Sequence, residues 1–399
     1  MEHNKNAAAV RTVLIYYIAY SALYVGRLNF SVASAALKNA GALTKPQIGL
    51  IGSVFSLMYA AWKLPAGYLG DRVKPVYFIS GGIAVSALAN LLIGFFPNYY
   101  TILSMWALNA FGQSVVWGPT LKAINARFTK EKARYICSVF ASSVAVGSVA
   151  GLYLSTRCVT VWGVSACFFI PSALLFSMAG VTAYISRKDA VLTDGARDEK
   201  HVSPWRLLTC ASFTRILLPT AAHGLIRDNV SIWMALYFVD AYGIDISSIA
   251  GYIFFIPVFA LAGRFAFPLL FRLFRGDERP VPALAFGVSA VCCGVLLVFD
   301  KNPLLSAVML GVISAAVSLV NTELATVYPA RFAGTGDVAF MSSAIDLAAY
   351  SGSGIGSLAF GALVEYCGYG SMFAVWGVLA AASIPLLLSA LSVKQAPQI

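Results

Sequence analysis

The stretch Tyr20-Ser-Ala-Leu-Tyr24-Val-Gly-Arg27-Leu-Asn-Phe-Ser31-Val-Ala-Ser34 places an arginine inside the first long apolar segment of the chain. On a helix, Tyr20, Tyr24, Arg27, Ser31 and Ser34 share one face, which predicts a polar stripe on an otherwise apolar surface. An arginine at the centre of a membrane helix costs roughly 2.5–3.5 kcal/mol, so such residues face water-filled cavities or charged partners. The stretch therefore predicts a membrane helix with a functional polar face.

The composition of the chain is that of a polytopic membrane protein. Hydrophobic residues make up 59% of the 399 residues and charged residues only 11%, whereas a soluble domain carries about 25% charged residues. The net charge of +11 does not indicate nucleic-acid binding, because the basic residues cluster in loops and not on one amphipathic face. The seven cysteines lack CxxC or metal-ligand spacing, so we expect small buried side chains and no metal or cofactor.

Apolar runs of membrane-spanning length recur along the whole chain and predict an all-α integral membrane protein with about twelve transmembrane helices. The runs lie near 12–37, 47–70, 76–97, 99–124, 134–157, 159–185, 213–240, 246–271, 280–299, 303–327, 337–364 and 369–393. A polar interval divides them into two sets of six. We predict an N-terminal six-helix bundle over 1–185, a cytoplasmic linker over 186–212 and a C-terminal six-helix bundle over 213–399.

The basic residues between the spans predict the orientation of the chain in the membrane. One side carries most of them, including Arg72, Lys74, Arg127, Lys130, Lys132, Arg134, Arg187, Lys188, Arg197, Lys200, Arg206, Arg272, Arg275, Arg279 and Arg331. The other side has little beyond Lys38, Lys45, Arg157 and Lys301. Because basic loops stay in the cytoplasm, we predict a plasma (inner) membrane protein with both termini and the linker inside.

A second intramembrane arginine, Arg227, lies in the first span of the second half, as Arg27 does in the first half. Guanidinium is a permanently charged planar fork that fits a phosphate or carboxylate with two parallel hydrogen bonds. The pair therefore predicts a site for a small organic anion. In the alternative, each arginine is the structural partner of a buried carboxylate such as Asp228 or Asp346. Consecutive residues on a helix do not face each other, so the sequence does not assign a partner to Asp228, the neighbour of Arg227.

Five further side chains of the first half are candidates for the same site, and each has a structural alternative. Lys63 adds positive potential to a cavity or extends to the membrane interface. Tyr20 and Tyr24 line a cavity or act as interface anchors. Gln113 and Trp117 belong to a polar stripe in the fourth span, which contacts either the substrate or a neighbouring helix.

The second half of the chain also contains candidate residues for the anion site. His223 and Ser231 share the helix face of the second arginine, and the histidine either carries a proton or is held structurally. Asp346 and Tyr350 lie on one face of the eleventh span, where the aspartate is a proton-coupling acid or a counter-charge in the empty site. We expect Asn321 to form a gate or packing cluster with Glu323 and Arg264. The run Gly352-x-Gly354-x-Gly356 predicts a close-packing helix face.

The chain resembles the major facilitator superfamily in the loop after its second span. Gly67-Tyr-Leu-Gly-Asp71-Arg72-Val-Lys74 looks like the signature loop of that superfamily. The resemblance implies two six-helix bundles, and it implies that Gly67, Asp71 and Arg72 form a conformational latch between them.

Four stretches resemble the organophosphate:phosphate antiporters, the family of the glycerol-3-phosphate and hexose-phosphate transporters. They are Tyr20-x3-Tyr24-x2-Arg27-x-Asn29-Phe30, Tyr59-x3-Lys63, Gln113-x3-Trp117-x-Pro119, and Leu225-Ile-Arg227 followed by Trp233. The resemblance implies phosphate binding by the two arginines and a site role for Trp233. Leu28 stands where the family carries lysine, and the first-helix motif is also similar to that of anion:cation symporters, which carry sugar acids and other carboxylates.

These observations predict a secondary active transporter of a small organic anion, a phosphate ester or a carboxylate, that works by alternating access. It exchanges anions or couples their uptake to protons, and it functions as a monomer in the lipid bilayer. The alternative is a transporter-like membrane receptor that senses an organic phosphate or sugar acid. The spans carry no HExxH motif, paired carboxylates or nucleophile constellation, so we do not predict an enzyme.

Overall fold

The structure, a computed structural model, is built of long helices joined by short connections. It describes residues 2–72, 75–125, 127–187, 211–275, 277, 279–299, 301–330 and 338–390. Within these ranges the structure does not describe the side chains at 2–8, 64, 67–72, 75–76, 122, 125, 130–131, 133–135, 138, 186–187, 211–212, 326, 330 and 338–340. The described residues contain helices and turns and no strand.

The helices follow the predicted apolar runs in order. They are α1 (Glu2–Asn39), α2 (Lys45–Arg72), α3 (Pro75–Phe95), α4 (Tyr99–Ser114), α5 (Trp117–Asn125), α6 (Lys130–Ala141), α7 (Ser143–Trp162), α8 (Ala166–Arg187), α9 (Ala211–Tyr242), α10 (Ala250–Ile253), α11 (Phe255–Leu273), α12 (Pro280–Val298), α13 (Pro303–Thr322), a π-helix (Glu323–Val327), α14 (Tyr328–Ala330) and α15 (Val338–Ala390). Each of the predicted runs lies largely on helix wherever it is described, which confirms the all-α class.

Eight of the described helical segments are long and apolar enough to cross a membrane. They are Ala9–Asn39, Tyr77–Phe95, Val139–Trp162, Ala166–Ile185, Ala250–Leu273, Pro280–Val298, Pro303–Ala325 and Met341–Ala390. The last contains a break at Gly368, whose φ of 75° is a left-handed conformation that favours glycine. This break separates the last two predicted spans where the sequence placed their boundary.

One predicted boundary and one cysteine prediction are wrong. The run expected to begin at residue 159 begins at Ala166, because α7 continues to Trp162 and ends at Gly163 with a φ of 86°. Arg157, which we assigned to a loop, therefore lies within α7. Cys367 is exposed, not buried, because it lies beside the break at Gly368.

The described chain forms two compact units. Unit 1 comprises Met1–Leu43 and Ala61–Arg197, and unit 2 comprises Thr44–Ala60 and Asp198–Ile399. The first part of α2 thus belongs to unit 2, although it precedes the linker by more than a hundred residues. The predicted division at 1–185, 186–212 and 213–399 stays a prediction, and residues 188–210 lie outside the described residues.

Small residues allow the helices within each unit to pack closely. In unit 1, a Cβ added at Gly147 of α7 would meet the backbone of Ser21 in α1. In unit 2, a Cβ at Gly352 of α15 would meet the carbonyl oxygen of Ala221 in α9. This confirms that the glycine run in the eleventh span is a close-packing face, and it fixes the helices that carry the two candidate arginines.

Candidate anion-binding site

In unit 1 the candidate arginine lies on α1 beside a tyrosine of the same face. Arg27 is partly buried, and its guanidinium carbon lies 5.5 Å from the ring centroid of Tyr24, one turn earlier. A guanidinium over an aromatic ring is attracted by the negative face of the π-system. Tyr24 therefore helps to orient Arg27, as their shared helix face predicts.

Tyr20 and Trp117 belong to an aromatic cluster in unit 1. The Tyr20 ring is 6% exposed, and its centroid lies 5.0 Å from that of Trp117 and 5.4 Å from that of Phe140. Trp117 is only partly buried and lies 5.3 Å from Phe140. Such a cluster fits the helix-contact alternative for Trp117, and it packs the Tyr20 ring against other aromatic rings. Their contact with a substrate stays a prediction.

Gln113 lies in a buried hydrogen-bond network beside Arg27. Its amide donates to Asn109 Oδ1 at 3.0 Å and to the carbonyl of Leu23 at 3.3 Å. Asn109 and Asn90 in turn donate to the carbonyl of Gly26, at 3.0 and 3.2 Å. The geometry of Gln113 fits helix–helix bonding, and the network fixes the backbone that carries the arginine.

The remaining candidates of the first half are less defined. Lys63 is partly buried on α2, an exposure that fits both a cavity-facing and an interface-facing side chain. The latch predicted at Gly67, Asp71 and Arg72 lies outside the described side chains.

In unit 2 the guanidinium of Arg227 holds a carboxylate. Its Nε lies 2.8 Å from Asp228 Oδ1, and its Nη2 lies 3.1 Å from Oδ2, which is a bidentate pair. The side chains are 20% and 13% exposed, so both retain some access to solvent. This arrangement is the structural alternative of the sequence analysis, in which an arginine pairs with a carboxylate.

The sequence offers Asp228 as one structural partner for the arginines but leaves its own partner open, because consecutive helical residues point about 100° apart. The long arginine side chain nevertheless reaches the aspartate, with Nε 2.8 Å from Asp228 Oδ1. Sequence adjacency of opposite charges was the one available signal for this pair.

Asn321 and His223 complete the surroundings of Arg227. Asn321 Oδ1 accepts a hydrogen bond from Arg227 Nη1 at 3.2 Å and lies 3.0 Å from Nε2 of His223. His223 Nδ1 lies 3.0 Å from the carbonyl oxygen of Thr220. The expected cluster of Asn321 with Glu323 and Arg264 stays a prediction. Asn321 precedes the π-helix Glu323–Val327, a distortion that often accompanies functional sites.

An aromatic side chain covers the same guanidinium. The Tyr350 ring centroid lies 5.0 Å from the Arg227 guanidinium carbon, and the Tyr59 ring lies 4.4 Å from that of Tyr350. Tyr350 is 8% exposed and Tyr59 is 3% exposed. The structure thus places Tyr350 beside Arg227, and it adds Tyr59, which the sequence analysis quoted only as part of a motif.

The other candidates of unit 2 lie on the same helices. Trp233 is fully buried and donates from Nε1 to Asn229 Oδ1 at 3.2 Å, an arrangement that fits packing. Ser231 and Asp346 are partly buried. Their contact with a substrate, and the choice between the two roles of Asp346, stay predictions.

Comparison with known proteins identifies the family. The sequence profile of the Major Facilitator Superfamily matches residues 15–349. The chain belongs to this superfamily. Its members are transporters and not enzymes, and they are multi-pass membrane proteins.

Several known proteins are similar to this chain in sequence. The membrane sensor protein UhpC of Salmonella typhimurium is 33% identical over 104 residues, which cover 26% of this chain and 24% of the sensor. The glycerol-3-phosphate transporter of Haemophilus influenzae is 28% identical over 171 residues, 42% of this chain and 33% of that protein. The phosphoglycerate transporter protein of Salmonella typhimurium is 22% identical over 92% of this chain and 86% of its own length.

A solved structure supports the same fold. The bacterial homologue of the human lysosomal transporter Spinster, in an inward-facing and unoccupied conformation, has a TM-score of 0.72 at 16% identity. The likeness covers 96% of this chain and 94% of that one. At this identity the likeness shows the superfamily fold alone.

Proposed function

We propose that this superfamily member is a secondary active transporter that moves a small organic anion across the membrane by alternating access. The observation that carries the proposal is the match of the Major Facilitator Superfamily profile to residues 15–349, and the partly exposed guanidinium of Arg227 supports an anionic substrate. A guanidinium inside an apolar helix, partly open to solvent and already in bidentate contact with an anion, has the geometry that an anionic substrate requires.

We propose that Arg27 and Arg227 both bind the transported anion. Each charge-assisted hydrogen bond contributes about 1.5–3 kcal/mol, so two forks supply enough energy to select an anion over neutral solutes. Tyr24 and Tyr350 support the proposal because each orients one guanidinium through its ring. The anion neutralises the arginines, which lowers the electrostatic cost of the conformational change. Transport then takes the form of anion exchange or proton-coupled symport.

Phosphate esters are the favoured substrates. Relatives that are similar to this chain are named for glycerol-3-phosphate and phosphoglycerate. Carboxylates such as sugar acids are the second choice, because the carboxylate of Asp228 fits the Arg227 fork. The positive-inside rule supports an inner-membrane location with both termini in the cytoplasm.

Counterflow in proteoliposomes tests the proposal. Vesicles loaded with one unlabelled anion are placed in trace radiolabelled anion, and the panel comprises phosphate esters, inorganic phosphate, sugar acids and dicarboxylates. We expect transient accumulation of the label for at least one phosphate ester or carboxylate, and none in protein-free vesicles. Accumulation of neutral sugars, with no response to any anion, would contradict the proposal.

A receptor is the second candidate, because the membrane sensor protein UhpC is 33% identical over 104 residues. A receptor binds the same anions without moving them. Binding that raises the melting temperature of the purified protein, in the absence of counterflow by the same protein, would favour the receptor. Counterflow at a rate above that of protein-free vesicles would exclude it as the only function.

A further inference from the structure

We propose that Asp228 is an internal anion that fills the fork of Arg227 whenever the site holds no substrate. The empty carrier then has no uncompensated guanidinium at this position and can change conformation. The protein therefore carries out net transport of its anion without requiring a counter-substrate. This inference rests on the transport function proposed above.

The geometry of the pair is that of a bound substrate. Asp228 uses the Nε and Nη2 donors of Arg227 at 2.8 and 3.1 Å, the two parallel hydrogen bonds that a phosphate or carboxylate substrate would also form. A substrate that takes this fork must displace the aspartate. Asp228 and an anionic substrate are therefore alternative occupants of one donor pair.

The two partners lie on the same helix, next to each other in sequence. An ion pair between different helices breaks when those helices move apart. Arg227 and Asp228 both belong to α9, so a rigid-body movement of that helix does not separate them. A counter-charge that must accompany the empty site through its conformational change needs this property.

The neighbours of the guanidinium allow the occupants to exchange. Asn321 Oδ1 accepts from Nη1, and the Tyr350 ring covers the guanidinium carbon at 5.0 Å. Neither contact uses the Nε–Nη2 edge. They hold Arg227 in place while Asp228, 13% exposed, leaves that edge for the incoming anion.

The consequence concerns the empty carrier. In a site of low dielectric, an unpaired charge is far more costly than in water, so an empty carrier with bare arginines reorients slowly and exchanges anions only. With Asp228 in the fork, the charge of Arg227 is compensated when the site is empty, and the barrier to the return of the empty carrier falls by that contribution. The empty carrier returns, and net efflux of the anion follows.

The test compares net efflux with exchange in the same proteoliposomes. Vesicles are loaded with the radiolabelled anion that counterflow identifies and are diluted into buffer without anion or into buffer with the same unlabelled anion. We expect the wild-type protein to release label under both conditions, above the leak of protein-free vesicles. A wild type that exchanges but releases no label into anion-free buffer would overturn the inference and leave the transport function standing.

Variants of Asp228 assign the effect to its charge. In Asp228→Asn we expect the ratio of net efflux to exchange to fall about tenfold or more, which corresponds to about 1.4 kcal/mol in the barrier for return of the empty carrier. Asp228→Glu restores a carboxylate and should recover net efflux. Asp245→Asn is the matched control, because this exposed aspartate lies in the loop just after the same helix.

The remaining outcomes of the Asp228 experiments also test the inference. Net efflux in folded Asp228→Asn equal to the wild type would overturn the inference, as would equal loss of exchange and efflux, since the aspartate would then serve the loaded carrier. If Asp228→Asn does not fold, the inference is tested by the comparison of net efflux with exchange in the wild type and in Asp228→Glu. Absence of counterflow in the wild type would overturn the transport proposal, and this inference with it.

Discussion

Lys45 at the start of α2 forms an ion pair with Asp240 near the end of α9, with Nζ 3.1 Å from Oδ2. The hydroxyl of Tyr369 donates to the same oxygen at 3.1 Å, and the Lys45 ammonium lies 5.2 Å from the Tyr369 ring centroid. All three residues belong to unit 2, and the two charged side chains are 17% and 10% exposed. The cluster therefore fastens the start of α2 within that unit.

Removing the acid from this cluster should destabilise the protein. We expect Asp240→Asn to lower the stability by about 1–3 kcal/mol, because Lys45 then loses its counter-charge in a partly buried place. Thermal unfolding in detergent measures the change. Lys45→Met with Asp240→Asn should recover part of the loss if the two residues act as a pair.

The exposed pair of Asp277 and Arg279 is the control for this measurement. Its side chains are 43% and 38% exposed, and Arg279 Nη2 lies 2.7 Å from Asp277 Oδ2. Solvent screens such pairs, so Asp277→Asn should leave the melting temperature nearly unchanged. Equal losses in Asp240→Asn and Asp277→Asn would show that burial does not set the strength of the first pair.

Replacing either candidate arginine by lysine should abolish uptake while the protein stays folded. An ammonium cannot reproduce the planar fork, so we expect Arg27→Lys and Arg227→Lys each to reduce counterflow by about tenfold or more. Arg157→Lys and Arg215→Lys are matched controls, since both arginines are exposed and lie on helices of the same two units. Normal uptake in either test variant would remove that arginine from the proposed site.

The ring of Tyr350 should contribute to anion binding through Arg227. Its centroid lies 5.0 Å from the guanidinium carbon, a contact worth about 0.5–2 kcal/mol. Tyr350→Leu should therefore raise the half-saturating anion concentration about two- to thirtyfold. Tyr350→Phe keeps the π-face and should stay close to the wild type. Similar half-saturating concentrations in Tyr350→Phe and Tyr350→Leu would mean that the side chain contributes only by its volume and not by its π-face.

Adding a methyl group between α9 and α15 should be costly. A Cβ at Gly352 would meet the carbonyl oxygen of Ala221, so Gly352→Ala forces these helices apart at a cost of about 1–3 kcal/mol. The melting temperature in detergent and the rate of counterflow should both fall. Gly294→Ala on α12 is the control, because nothing lies within 4 Å of its added Cβ.

Much of the fold could be predicted from the sequence because hydropathy, glycine and loop charge act locally. The break at Gly368 falls between two predicted spans, and the close-packing role of Gly352 follows from its spacing with two further glycines. The site was less accessible to this reasoning. The contact of Asn321 with Arg227 joins residues 94 positions apart and depends on how α13 packs against α9. The bond between Arg227 and Asp228 depends on side-chain rotamers, which helix periodicity does not report.

The membership of residues 44–60 in unit 2 has a consequence for biosynthesis. The hydroxyls of Ser56 and Ser353 lie 2.9 Å apart although 297 positions separate them in sequence. A ribosome therefore delivers this part of α2 long before the residues that will bury its polar groups exist. During translation it needs temporary cover from lipid, a chaperone or the membrane insertase, and unit 2 becomes complete only when the last helices arrive.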